Sequence, residues 1–187
     1  MLARIQTLLL TVAVSAPLAL TQQMSHPMPG SPPKAGARSI AAFQKIKSLA
    51  GRGKAEQWEG KDQDGSPAQT SFAVVVAGTA VLETLRESGM EEMLTVYSVD
   101  GDGIALVHFC PTNNQPRMRA IPASSDGDIQ QLEFLFRDAG NLPTPSTGHQ
   151  QKLLLTFEDK DHITETWTWR SQGKDSLTTI HFTRKGA

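Results

Sequence analysis

Residues 94–121 read LTVYSVDGDGIALVHFCPTNNQPRMRAI. Strand-forming runs flank the turn at residues 100–103, and a third run follows the loop at residues 111–116, so the stretch predicts three consecutive antiparallel strands. Alternation along residues 104–110 places Ile104, Leu106, His108 and Cys110 on one face, with Ala105, Val107 and Phe109 on the other. Both faces are largely apolar, which predicts a strand covered on both sides. In an antiparallel protein that means a barrel wall or a sandwich with a plugged face.

Working outward, period-two patterning begins after Lys54 and continues to the C-terminus. Ten strands are predicted, over residues 54–61, 68–77, 79–86, 92–99, 104–110, 116–122, 128–137, 151–158, 162–171 and 176–184. Turn signals such as Asp64-Gly65, Gly89, Asp126-Gly127 and Gly173-Lys174 separate them. A single helix is expected before the strands, capped by Ser39, carrying Phe43, Ile46 and Ala50 at helical spacing and stopped by Gly51. An open antiparallel sheet of ten strands would leave long edges exposed. The expected fold is therefore all-β, a closed antiparallel meander barrel with one short N-terminal helix.

The 187 residues suit one domain plus appendages. Arg4 is followed by an apolar run over residues 5–20, too short for a comfortable membrane span, and residues 1–22 read as a secretory signal peptide. An uncleaved anchor is the alternative. Residues 23–38 hold prolines and glycines without apolar periodicity and read as a disordered linker, leaving 39–187 as the barrel domain. Met24, His26 and Met28 in the linker could meet a soft metal, but a disordered tail with incidental residues is the preferred reading. The expected location is secreted or periplasmic. Cys110 is the single cysteine, so the chain forms no internal disulfide and its stability must come from the core.

Charge is unevenly spread. Of the 18 basic residues seven precede Glu56, leaving 11 against 19 acidic ones in the body. A basic arm could touch an anionic membrane surface or the acidic body itself, whereas an acidic body excludes a phosphate-binding surface, so no nucleic-acid partner is expected. Residues 100–103 lack the later ligands of a calcium loop and read as a hairpin.

The run from Phe43 to Leu49, followed by Gly51 and Trp58-Glu59-Gly60, resembles the entry of the calycin barrels, which include lipocalins and fatty-acid-binding proteins. That resemblance implies a helical turn plugging one barrel end, Trp58 packed beneath it, and Arg184 covering the tryptophan. Ala80-Val-Leu-Glu-Thr-Leu85, Glu92-Met-Leu-Thr-Val-Tyr97, His108-Phe-Cys110 and Asn114-Gln-Pro-Arg-Met-Arg-Ala120 are similar to a bacterial family of exported, lipocalin-like domains of unknown function. The similarity spans residues 43–184 and brings no established chemistry.

Read from the residues, Glu83 shares a face with Val81 and Leu85, and Glu165 shares one with Ile163, Trp167 and Trp169. Charges enclosed there need partners, and Arg117 and Arg119, which share a face, are the expected ones. Tyr97, His108, Cys110 and His181 would complete a polar set at a pocket mouth. The site expected for a small, mostly apolar ligand is thus Glu83, Tyr97, His108, Arg117, Arg119, Glu165, Trp167 and His181. A filled barrel acting as an interaction module through a rim loop at residues 142–148 is the competing expectation. An isomerase or hydrolase using Glu83 or Glu165 comes third.

No cofactor is expected outright. Haem held by His181 is a further possibility, on its position in the last strand. His108 and Cys110 could share a metal only with a third ligand such as His181 or Glu165, and Cys110 has no base-orienting partner that would make it a nucleophile.

Overall fold

The computed structural model describes residues 34–51, 54–123 and 127–186. Helix α1 spans Ala37–Lys47. Ten strands follow: β1 Glu56–Asp62, β2 Pro67–Val75, β3 Ala80–Glu87, β4 Met93–Asp100, β5 Gly103–Phe109, β6 Gln115–Ala120, β7 Gln131–Gly140, β8 His149–Phe157, β9 His162–Ser171 and β10 Lys174–Arg184. Each pairs with its sequence neighbour, and β1 pairs with β10 from Trp58↔Arg184 to Asp62↔Ile180, closing a barrel. Every expected strand is present, with ends displaced by a few residues. The expectations for residues 1–33 fall outside the described residues. Among those described, no helix is long and apolar enough to cross a membrane.

Because the strands run up and down, their connections alternate between two ends. α1 lies at one end, turning Ala42, Phe43 and Ile46 into the core. Ser39 is not the helix cap. It sits inside the first turn, and its hydroxyl donates to the carbonyls of Gly36 (2.9 Å) and Gly101 (2.8 Å), binding the helix to the β4–β5 hairpin. The helix also stops before Gly51, its C-cap being Ser48. Trp58 donates its indole N–H to the Leu49 carbonyl at 3.1 Å, and the Arg184 guanidinium lies 4.3 Å from the indole centroid. The helix-end plug and its arginine cover are therefore as expected, and the contact is a cation–π pair reinforced by Arg184 bonds to the Ser48 and Lys160 carbonyls.

Period-two patterning works on the inner face. Ile104, Leu106 and His108 are fully buried. The outer face of β5 is not covered as expected, since Ala105 and Val107 are half-buried and Phe109 is 45% exposed. The interior is occupied by Trp58, Phe72, Tyr97, Phe134, Leu153 and Phe182, all essentially inaccessible.

Candidate functional site

In the middle of this apolar interior stand two carboxyl groups. Glu83 on β3 and Glu165 on β9 are both fully buried and in hydrogen-bonding contact with each other. Two carboxylates cannot meet so without a proton between them. The surrounding donors decide where it resides. The Tyr97 hydroxyl donates to Oε2 of Glu83 at 2.6 Å and Thr70 donates to Oε1 at 3.0 Å, with Thr95 also reaching this group. Glu165 receives one donor, the Trp167 indole N–H at 2.9 Å on Oε2. Glu83 is thus the carboxylate, and Glu165 is the acid that donates to it.

The electrostatics agree. Burial pushes the Glu165 carboxyl well above the ordinary range, and the adjacent Glu83 charge adds to the shift. Burial raises Glu83 as well, but the bonds from Glu165, Tyr97, Thr70 and Thr95 pull it back. Tyr97 is raised by burial and then by the two glutamates, so its proton stays on the phenol.

From the pair a polar column runs toward the barrel end opposite α1. Thr95 Oγ1 lies 3.0 Å from Nδ1 of His108. Assigning the Thr95 proton to the Glu83 carboxylate, which can only accept, leaves the Thr95 oxygen to accept from His108 Nδ1–H, and this assignment sets the tautomer. Nε2 of His108 is left as a bare acceptor, buried and without a partner among the described residues. Burial depresses this histidine to about 4, which keeps it neutral. Its ring lies 4.8 Å from that of Trp167. Asn114 Oδ1 and Gln150 Oε1, from the same end of the barrel, are also buried without partners.

That end is where the wall separates. β7 and β8 pair from Gln131↔Thr156 to Leu135↔Lys152 and no further. Each strand carries an irregularity beside the separation, β7 in its pairing with β6 and β8 between Gln150 and Lys152 in its pairing with β9. Such bulges bend a strand away from its neighbour. Phe136 and His149 meet beside the gap with ring centroids 4.7 Å apart and planes inclined at 43°. The connection from β7 to β8 covers it, fixed by Asn114 Nδ2, which donates to the Gly148 carbonyl at 2.8 Å, and by Gln172 N–H to the Ser146 carbonyl at 2.9 Å. Outside the gap a depression of about 530 Å³ is lined by Phe136, Arg137, Leu142, His149, Gln151 and Arg170, among others.

Of the eight expected site residues, five come together inside the barrel: Glu83, Tyr97, His108, Glu165 and Trp167. Three do not. Pro116, Met118 and Ala120 take the inward positions of β6, so Arg117 and Arg119 project outward. Arg117 pairs with Asp138, and Arg119 with Asp100 (2.9 Å) and Asp102, so neither balances the buried acids. His181 is outward because Ile180 and Phe182 fill the core. Its side chain is 68% exposed and Nδ1 meets Thr164 Oγ1 at 2.8 Å. The positional case for His181 as an interior haem ligand, or as a third ligand beside His108 and Cys110, does not survive this placement. Among the described residues no three His, Cys, Asp or Glu side chains are placed to hold a metal ion.

Sequence reasoning missed Thr70, Thr95, Asn114, Phe136 and His149. Thr70 shares the inward phase of Ala68 and Phe72, which was a usable signal. Nothing in the sequence marks Phe136 and His149 as neighbours, since their contact arises where pairing stops.

The fold and interior define a closed ten-stranded antiparallel barrel around a hydrogen-bonded acid pair. No family model and no curated relative matches the sequence. Among solved structures the chain is similar to Rv2717c from M. tuberculosis, with a TM-score of 0.55 and 14% identity over 81% of this chain and 99% of that one. At that identity the likeness carries the fold.

Proposed function

We propose that this protein is an exported, lipocalin-like barrel that holds a small, mostly apolar molecule in the half of its interior farthest from α1. The separation of β7 from β8 is the entrance. The observation that carries this reading is the unpartnered Nε2 of His108, an acceptor packed against the Trp167 ring toward the barrel end at which β7 and β8 part. An isolated buried acceptor costs about 1–3 kcal/mol, which a ligand donor would recover. Large interior side chains restrict the ligand to the loop end and require Phe136 and His149 to move apart as it enters. Export rests on the apolar run at residues 5–20 after Arg4.

Native mass spectrometry of protein taken from its own host tests this directly. A retained small mass that is lost in His108→Phe is the expected result. Wild-type protein that carries no added mass, and whose tryptophan emission is unchanged by 1-naphthol, overturns the proposal.

A further inference from the structure

The interior has a charge and nothing inside to balance it. Glu83 and Glu165 share one proton, so the pair carries one negative charge in the centre of the barrel. No lysine or arginine is buried among the described residues. Arg117 and Arg119 are on the outer face with their own aspartates. Arg184 faces the helix end, separated from the pair by Trp58, and is committed to the carbonyls of Ser48 and Lys160 and to Asp161 at 3.3 Å. His108 is held as a neutral ring whose only buried free atom is an acceptor.

The unpartnered amide oxygens at this end, Asn114 Oδ1 and Gln150 Oε1, have the same polarity. Asn114 uses its amide N–H on the Gly148 carbonyl, which fixes Oδ1 as an acceptor. A molecule entering here therefore meets acceptors only, beside a negative charge in surroundings of low dielectric. A carboxylate would be repelled and has no donor to offer. A ketone or ether has no donor either. An ammonium group has three donors and the missing charge, and the faces of Trp167 and Trp169 supply walls suited to a cation on an apolar body.

We infer that the ligand is a small organic amine bound as its ammonium ion, donating to Nε2 of His108 and neutralising the Glu83–Glu165 pair. This rests on the interior-binding reading above and adds to it the chemical class. The amine enters between Phe136 and His149, loses its water there, and exchanges it for His108 and the field of the acid pair.

Three probes of one shape separate the possibilities: 2-phenylethylamine, 2-phenylethanol and phenylacetate, titrated calorimetrically into the full chain at neutral pH. The amine is expected to bind at least about tenfold more tightly than the alcohol, roughly the effect of one unit charge at partly screened distance, and phenylacetate not measurably. Glu165→Gln keeps the acceptor for Trp167, donates an amide N–H to Glu83 and preserves the charge, so it retains the preference. Glu83→Gln removes the charge and brings the amine to the alcohol's affinity. Equal binding of amine and alcohol to the wild type, or tighter binding of phenylacetate, overturns the amine assignment while interior binding stands. Binding of none of the three overturns both. If Glu83→Gln does not fold, the wild-type ranking together with Glu165→Gln still decides, because loss of the preference in Glu165→Gln is itself contrary to the inference.

Discussion

The Tyr97 hydroxyl donates a 2.6 Å hydrogen bond to Oε2 of Glu83, a side chain with no accessible surface. The bond fixes which of the two buried glutamates carries the charge. Four donors converge on Glu83, from Tyr97, Thr70, Thr95 and Glu165, and one on Glu165, from Trp167. The asymmetry in donors makes one group a base and its neighbour an acid, although both are the same residue type in the same core.

Stability should fall as pH rises through the titration of this pair. Glu165 releases its proton near its ordinary value of 4.5 when unfolded but holds it to higher pH when folded. Its contribution is complete below 4.5 and is lost as pH climbs toward the raised value. Glu165→Gln cannot titrate, so its urea midpoint should decline less than that of wild type as pH rises above 4.5. Parallel declines would show that Glu165 does not hold the shared proton.

His108 works in the opposite direction. Its folded value of about 4 lies below the ordinary 6.5, so the unfolded chain takes up the proton first as pH falls. Stability is fully present above 6.5 and is lost between 6.5 and about 4, by roughly 3 kcal/mol if the ring stays enclosed. Nitrogen NMR should find His108 neutral at about pH 5.5, with its proton on Nδ1. A His108 that titrates near 6.5 would contradict its enclosure.

Arg184→Ala removes both the cover on Trp58 and the bonds to the Ser48 and Lys160 carbonyls. A loss of about 1–3 kcal/mol is expected, with red-shifted tryptophan emission as water reaches the helix end. Arg184→Lys should recover part of the charge effect but not the forked bonding, and so fall between the two in a denaturant melt.

Gly148 carries the loop over the β7–β8 gap. A Cβ there would come within 2.3 Å of the Trp169 ring, so the loop and indole cannot both keep their places in Gly148→Ala. The variant should lose about 1–3 kcal/mol and admit 1-naphthol faster in stopped-flow fluorescence. An unchanged entry rate would place the entrance elsewhere.

Strand number, order and closure were legible because each inner strand face must be apolar and each turn must break the pattern, and both demands are local. β6 marks where that reading stops. Arg117 and Arg119 are correctly seen to share a face, but the opposite face of Gln115–Ala120 is wholly apolar, Pro116, Met118 and Ala120, and a shift of one residue exchanges inside for outside. Met118 and Ala120 win the interior because exposing them and burying two guanidiniums would cost far more.

On its own, then, the amino-acid order determined a helix followed by ten strands, a plug at Trp58 covered by Arg184, and enclosed acids at Glu83 and Glu165. The helix, the strands and the enclosed acids follow from periodicity, whereas the Trp58 plug and its Arg184 cover were what the resemblance to the calycin barrels implied. Only the three-dimensional arrangement decided that the acids face each other rather than the arginines, that Thr95 links them to His108, and that β7 and β8 part beside Phe136 and His149. Each of these depends on which strands meet across the barrel and where their pairing ends, distances set by closure and register that no one-dimensional pattern contains.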